Sequence, residues 1–418
     1  MNILISHPTG NRNVRAVITA LAGAAFLSEF DTTLAANPGA AWLKMLPAGI
    51  REEWLRRSFP APADQIWTHP FREISRMVLP KLGMSRYLKH ETGWASIDAV
   101  YRDFDKAVAG RLLQKVKKKK IHAVYAYEDG ALATFKQAKQ LGLTCIYDLP
   151  IAYWETSRKL LQEEAARLPQ WAPTLKGGIQ DSPAKLERKT QELEMADMVV
   201  GPGTFVRTSL PAWTAGKKIV MFPFGSPEEN NVVKLDTKRQ NNVDTPLRVL
   251  FAGSMSQRKG LGDLFDAMKI LSRPDIELVV MGSLMAPMEF YRQEYPDFTY
   301  EPGRSNEQVL ALMRTCDVFC LPSIVEGRAL VMQEAMSQGL PIVITANTGG
   351  QDLITRNGET GFLVPVRSPQ AIAEKLAWML DHRAETKEMG KKAKAHAGTY
   401  TWKKYGDGIV DSIRDFIN

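Results

Sequence analysis

The chain has 418 residues, too many for one ordinary hydrophobic core and suited to two domains. Hydrophobic residues make up 44% and charged residues 24%, which excludes a disordered chain, and no apolar stretch is long enough to span a membrane. The formal net charge of +8 favours an anionic partner (a membrane surface, a nucleotide or a nucleic acid), but no nucleic-acid-reading motif accompanies it. Cys145, Cys316 and Cys320 make no disulfide framework, which suits a reducing cytoplasm; Cys316 and Cys320 lie too far from any His to suggest zinc, and their apolar strand context makes both core thiols. MNILISHP reads as a short buried strand that turns polar at once, not as a leader.

Residues 2–6 form this first strand, His7-Pro8-Thr9-Gly10-Asn11 a loop, Val14 to Leu27 a helix, and Thr33 to Ala36 a second strand. Strand, loop, helix and strand in that order open a doubly wound α/β domain, and the absence of G-x-G-x-x-G speaks against a dinucleotide site. From Trp42 to His90 aromatic residues alternate with Lys44, Arg51, Arg56, Arg57, Arg72, Arg76, Lys81, Arg86 and Lys89, with few acids between. Such a stretch can lie on an anionic membrane face, or it can be ordinary helices with core aromatics and solvated charges. Residues 97–116 form an amphipathic helix ending in four lysines, where cations suit the helix C-terminus. Ile121 to Tyr127 is a strand running into Glu128-Asp129-Gly130, followed by a helix through Gln140. Thr144 to Leu149 is the next strand, carrying Asp148 at its end, with Tyr153-Trp154 after it. Glu187 to Met195 is helical, 196–202 and 219–223 are strands, and polar, Asn-rich 226–246 is an interdomain linker.

The α/β pattern restarts at Leu247 to Ala252. The loop Gly253-Ser254-Met255-Ser256-Gln257-Arg258-Lys259-Gly260 then precedes a helix, and it is no P-loop because Gly-Lys-Ser/Thr is missing. Glu277 to Met281 is a strand, and Gly282 allows close backbone approach. Phe319 to Thr345 holds strand, loop, helix, turn and strand in one unit: a helix from about Leu330, Gly339 as its C-terminal cap, Pro341 barring continuation. The amides of Gly327, Arg328, Ala329 and Leu330 open that helix, and a helix N-terminus suits a diphosphate. Glu326 flanks it in the loop, and Glu334 lies about 6 Å into the helix. Carboxylates beside a phosphate site repel it unless they accept hydroxyl hydrogen bonds, which points to a sugar partner. A solvated surface pair of Glu residues is the plain alternative.

PSIVEG-RAL-VMQEAMSQGLPIV resembles the E-x7-E signature of the group 1, or family-4, retaining glycosyltransferases of the GT-B fold. Supporting matches run through most of the C-terminal half. The resemblance implies that Glu326 contacts the transferred sugar, that the amides after Gly327 hold sugar and diphosphate, and that Glu334 binds the ribose hydroxyls. Gly253, Ser254, Arg258 and Lys259 resemble the diphosphate loop, with Ser254 where the family often has Arg, and Arg258 supplying that charge instead. Thr299-Tyr300-Glu301-Pro302-Gly303 resembles the border of the nucleobase, so Tyr300 and Pro302 join Gly282 as donor-binding candidates. Thr348-Gly349-Gly350 and 361–364 resemble the closing elements, and 402–418 a helix that crosses back onto the first domain. The family usually carries Phe-Gly where Arg328-Ala329 stands here, which bears on donor-sugar preference. On the acceptor side the resemblance makes His7, Gly10 and Asn11 part of the cleft. The family often places His-x-His where Tyr125 and Tyr127 stand, so no catalytic His carries over; Asp129 is a polar substitute there and Asp148 a further candidate.

The expected molecule is a GT-B glycosyltransferase with two Rossmann-like doubly wound domains: 1–225 for the acceptor, joined by the 402–418 helix, a linker at 226–246, and 247–401 for the nucleotide sugar. It would transfer a hexosyl group, with retention, from a nucleotide diphosphate sugar to the hydroxyl of a sugar- or lipid-linked acceptor. No cofactor and no metal are expected, since Arg258, Lys259 and the helix N-terminus already face the diphosphate and no Asp-x-Asp lies near either loop. The expected place is the cytoplasm, in peripheral contact with an anionic membrane, and no nucleic acid is expected as partner. A nucleotide-sugar epimerase of the same architecture, which needs no acceptor, and a nucleotide-binding scaffold that transfers nothing are the rival readings.

Overall fold

The computed structural model describes residues 1–175, 177–227 and 245–417, so most of the expected linker, residues 228–244, lies outside the described residues. The first half contains β1 (Ile3–Ser6), α1 (Arg12–Gly23), β2 (Leu27–Thr32), α2 (Ala48–Leu55), β3 (Ile66–Thr68), α3 (Phe71–Val78) and α4 (Ile97–Lys119). It continues as β4 (Ala123–Tyr127), α5 (Leu132–Gln140), β5 (Thr144–Asp148), α6 (Trp154–Arg167), α7 (Pro183–Met195), β6 (Met198–Gly201), α8 (Thr204–Ser209) and β7 (Lys218–Met221). The second half contains β8 (Leu247–Ala252), α9 (Leu261–Leu271), β9 (Ile276–Met281), α10 (Met288–Glu294), β10 (Phe298–Glu301), α11 (Asn306–Met313) and β11 (Val318–Leu321). It ends with α12 (Leu330–Ser337), β12 (Ile342–Thr345), β13 (Gly361–Val364), α13 (Pro369–Asp381), α14 (Arg383–Ala397) and α15 (Trp402–Ile417).

The strands form two parallel sheets, ordered β3-β2-β1-β4-β5-β6-β7 and β10-β9-β8-β11-β12-β13. In each sheet the winding reverses between two central strands, β1 and β4 in the first and β8 and β11 in the second. An open parallel sheet leaves a crevice at that switch point, beyond the strands' C-terminal ends. The loops that enter it are 7–11 and 128–131 from the first sheet, 253–260 and 322–329 from the second. Apolar runs such as Val249-Leu250-Phe251 and Ile342-Val343-Ile344 are wholly buried, as strands covered by helices on both faces must be.

Several sequence expectations shift. The second strand is Leu27–Thr32 rather than Thr33 to Ala36, and α1 ends at Gly23. Strand β2 (LSEFDT) hides Glu29 and Asp31, a pattern that reads as surface. The two acids are tolerated because Lys115 reaches Glu29 at 2.6 Å and Arg111 reaches Glu29 and Asp31 at 2.9 and 3.2 Å. Helix α15 does cross back: Tyr405, Ile409, Val410 and Ile413 enter the first domain's core beside Val14, Val17 and Ile18 of α1. Helix α6 starts on the first domain, where Trp154 donates to Thr190 and Thr156 to the Ser209 carbonyl, but its end and the segment to Leu175 reach the second. Trp171, in that segment, is buried in the second domain's core and donates Nε1–H to Glu294 at 3.0 Å. The three cysteines are free and buried.

Candidate functional site

Three residues singled out for the diphosphate site meet at the mouth of the second sheet. Glu326 Oε1 accepts from Lys259 Nζ at 2.5 Å and from Arg258 Nη1 at 2.6 Å. Arg258 also donates to the Val325 carbonyl at 3.1 Å, and the Ile324 amide donates back to the Arg258 carbonyl at 2.9 Å, so the two loops brace each other. Burial lowers the Lys259 ammonium pKa, and Glu326 opposes that by pairing with it. Two cations against one carboxylate leave net positive charge facing the cleft.

Gly253 and Gly282 bring backbone against backbone below this trio. A Cβ on Gly282, whose φ is +154°, would lie 1.7 Å from the Gly253 carbonyl oxygen. Tyr300 fixes that contact by donating its hydroxyl to the Gly282 carbonyl at 3.1 Å. Ser254 faces Ser256, hydroxyl to hydroxyl, at 3.3 Å. Pro302 stays on the exposed rim.

The loop before α12 departs from four open amides. Ala329 N–H donates to the Thr348 carbonyl at 3.2 Å, which removes it from the ligand-facing set. The amides of Gly327, Arg328 and Leu330 donate to no acceptor among the described residues. The Arg328 side chain turns inward: it pairs with Asp352 at 2.6 Å and donates to Gln333 Oε1 and the Gly349 carbonyl. Arg328 therefore serves the site as a buried brace, with only its backbone at the cleft. Gly327 lies directly under the first domain, where an added Cβ would sit 1.8 Å from the Pro150 carbonyl oxygen. Glu334 is largely buried one turn into α12, and its Oε1 accepts from Asn306 Nδ2 at 2.7 Å. Burial raises its carboxyl pKa, with Arg12 and Asn306 pulling the other way.

The acceptor-side residues fare less evenly. His7 is fully buried at the end of β1, its ring 4.1 Å from Tyr127, its Nδ1 accepting from the Thr9 amide and its Nε2 without a partner among the described residues. Burial lowers its pKa to about 3, so the ring is neutral and presents Nε2–H. Gly10 packs against Phe59, and Asn11 caps α1 by accepting from Val14 N at 3.3 Å; both are fold-forming at the least. Asp129 is taken by Arg188 at 3.0 Å and Lys189 at 3.4 Å; burial would raise its carboxyl, and Lys189, Lys185 and Arg188 outweigh it. Asp148 is buried beneath the sheet end instead of lining an open cleft. Tyr153 and Trp154 share Thr190 Oγ1 as acceptor, an ordinary packing contact. The one group of metal-capable side chains among the described residues, His90, Glu91 and Asp181, is already held by Lys185 and Ser182.

Sequence reading missed Gln257, though it stands beside Arg258. Its amide N–H accepts no ligand role: it donates to Thr174 Oγ1 at 3.1 Å, and its side chain donates to Glu164 and Asp263 at 3.0 and 2.8 Å. Arg167 spans Glu164 and Asp263, and Arg367 pairs with Glu164, so α6 of the first half clamps the 253–260 loop of the second. The residues Ile324 and Val325 join this clamp by packing on Ala152, Leu161 and Leu175.

Residues 233–396 match the sequence family described as glycosyl transferases group 1. That match lies within the second half of the chain. Among curated relatives, D-inositol 3-phosphate glycosyltransferase of Paenarthrobacter aurescens is 30% identical over 181 residues, covering 41% of this chain and 44% of that protein. The Corynebacterium efficiens enzyme of the same name is 36% identical over 168 residues, covering 37% and 39%. The chain thus spans less than half the length of the curated relatives it matches. Solved structures align over almost the whole chain. An UDP-forming trehalose-phosphate synthase from Burkholderia xenovorans gives a TM-score of 0.65 at 12% identity, covering 100% of both chains. Sucrose-phosphate synthase of Thermosynechococcus elongatus gives 0.61 at 19%, covering 99% and 98%. Anabaena HepE, solved with UDP, gives 0.62 at 14%, covering 99% and 100%. These likenesses give the fold of the chain as GT-B.

Proposed function

We propose that this protein is a hexosyltransferase that takes a sugar from a nucleotide diphosphate sugar and passes it to an acceptor hydroxyl. The observation that carries the reading is the convergence of Lys259, Arg258 and Glu326 beside the open amides of Gly327, Arg328 and Leu330, inside the segment that matches the family. As the bond between the sugar's anomeric carbon and the diphosphate breaks, negative charge grows on the departing phosphate oxygen. Lys259, Arg258 and those amides are fixed beforehand where that charge develops, which is the most effective way to stabilise it. Glu326, released from its cations by the phosphates, accepts from sugar hydroxyls, and Glu334 accepts from the ribose. The acceptor oxygen bonds to the anomeric carbon from the first-domain side, and its proton passes to the departing phosphate oxygen. Retention of configuration and independence from divalent metal belong to this proposal through the resemblance and the two cations.

The acceptor in this reading is sugar- or lipid-linked, and the protein meets an anionic membrane. In support, α3 turns Phe71, Ile74 and Val78 outward on one face at helical spacing, 69%, 40% and 44% exposed, and Leu82 follows at 65%. Lys81, Arg86 and Lys89, in the chain around and just after Leu82, are exposed as well. Exposed apolar side chains with cations near them in the chain match an anionic bilayer in both chemistry and charge.

The test is a panel of nucleotide sugars with calorimetry of the matching nucleoside diphosphate. Glu334→Ala should weaken binding, since a charged hydrogen bond contributes about 1.5–3 kcal/mol. Glu326→Ala should depress turnover more than affinity. Unchanged affinity in the first together with full turnover in the second refutes the site. Anomeric NMR of the first product and activity after exhaustive chelation test retention and metal independence, and product analysis without acceptor separates transfer from epimerisation.

A further inference from the structure

Arg12, the first residue of α1, reaches across the cleft to the second domain. Its Nη2 donates to Asn306 Oδ1 at 2.8 Å, its Nη1 lies 3.8 Å from Glu334 Oε1, and Asn306 Nδ2 donates to that same Oε1 at 2.7 Å. A guanidinium carries donors only. By taking Asn306 Oδ1 it fixes the orientation of the amide and so turns Nδ2 onto the carboxylate. Oε2 of Glu334 takes no hydrogen bond among the described residues.

The two ends of the interdomain contact differ. At the α6 end the contact is buried: Glu164, Gln257 and Asp263 are each fully covered and tied to one another through Arg167 and Arg367. At the Arg12 end the arginine is 43% exposed and Asn306 lies on the surface. An exposed pair of this kind breaks and re-forms at little cost, whereas a buried, fully hydrogen-bonded network holds its geometry.

We propose that Arg12 is a positioning residue of the donor site: acting through Asn306, it orients Glu334 only when the cleft is closed, and so couples ribose recognition to the approach of the two domains. This rests on Glu334 being the ribose acceptor. Loop 7–11 then connects events on the acceptor side to donor affinity, because Asn11 and Arg12 begin the same helix.

The experiment measures affinity for UDP, GDP and ADP by calorimetry on the full chain. With whichever binds the wild type, Arg12→Ala and Asn306→Ala should each raise Kd about tenfold, and the double variant should be no weaker than the worse single one. In a Glu334→Ala background, Arg12→Ala should change Kd less than twofold, a result that a general folding defect would not give. Small-angle scattering should show compaction on nucleotide binding in the wild type and not in Arg12→Ala. Wild-type affinity in Arg12→Ala, or an undiminished effect of that substitution in the Glu334→Ala background, overturns the coupling and leaves the donor reading standing. Failure of all three nucleotides to bind the wild type overturns the donor reading and the coupling with it. Asn306→Ala, on the exposed rim, serves alone should Arg12→Ala fail to fold.

Discussion

Asp148 closes strand β5 with a carboxyl that the first domain's core shuts off from water. The sequence puts an acid at the end of β5, and the structure agrees, but there it is 2% exposed, with Oδ2 lacking a hydrogen bond among the described residues. Burial pushes its carboxyl up to about 7, the Tyr125 hydroxyl pulling the other way and Glu128 adding to the rise. The unfolded chain titrates near 3.9. A folded pKa above the unfolded one means the folded state keeps a proton that the unfolded state releases. The resulting stability is complete below about pH 4 and is lost as the pH rises through about 7. Asp148→Asn has no proton to lose, so its stability relative to wild type should increase between about pH 5 and pH 8. Glu192, pushed up to about 8 chiefly by burial, titrates in the same direction, but it is present in both proteins and cancels in the difference. Urea unfolding of both proteins across that range is the measurement, and a constant difference would contradict the prediction. Glu326, Lys259 and Arg258 were legible because charge beside a predicted loop is a local signal. Arg12 and Asn306 were not, since their meaning depends on residues 294 positions apart meeting across a cleft.

At the level of elements, the apolar strands and the capped helix α12 followed from periodicity, and Gly339 does take the left-handed conformation, φ +91°, that ends the helix. Two kinds of element escaped. Strand β2 hides its acids in ion pairs, and pattern reading cannot know that Arg111 and Lys115 will arrive from α4. Helix α6 was passed over because its partner is the other domain: Glu164 looks like a surface acid until Gln257 and Arg367 cover it. The loop 326–329 shows what such docking demands. Ala152 N–H donates to the Glu326 carbonyl at 3.3 Å, and Gly327 is pressed against the Pro150 carbonyl. Gly327→Ala would place a Cβ 1.8 Å from that oxygen, so the loop must move away from residues 150–152 and carry Glu326 with it. A displacement near 1 Å at a catalytic group can reduce rate about 100-fold. We therefore expect Gly327→Ala to lose most of its turnover while its melting temperature falls little, because the loop yields and the sheet cores do not. Steady-state kinetics beside calorimetric melting checks this, and wild-type turnover would show that the contact has no bearing on the site.

For the molecule as a whole, two domains clamped at α6 and bridged at Arg12 enclose the proposed donor site, while the stretch from 42 to 90 lies on the first domain's surface. That stretch divides in a way its composition did not announce. Phe59 packs on Phe30 at 4.7 Å, and Trp67 lies under the Arg111 guanidinium at 3.7 Å, so those rings are structural. Arg76 is held by Glu73 at 2.6 Å and Arg72 by Asp103 at 3.3 Å, which removes two cations from any outside partner. Apart from Met45 and Ile50 earlier in the stretch, the large apolar side chains left outward are Phe71, Ile74, Val78 and Leu82, and Lys81 and Lys89 nearby in the chain are exposed as well. Docking these four side chains on a bilayer would bury apolar surface at about 25 cal/mol per Å², and each lysine near an anionic surface would add about 1 kcal/mol. Both contributions are needed for lasting attachment, so each should be separately removable. Phe71→Ser with Leu82→Ser should weaken binding to vesicles containing anionic lipid even at low salt. Lys81→Gln with Lys89→Gln should weaken it at low salt and leave little further loss as salt rises, because added salt already screens those charges. Flotation of the wild type and the two double variants across a salt series reads both effects. A wild type that stays free of anionic vesicles at low salt, or two variants that float as it does, would mean that these side chains face water or another protein, and that a membrane-borne acceptor must be given up.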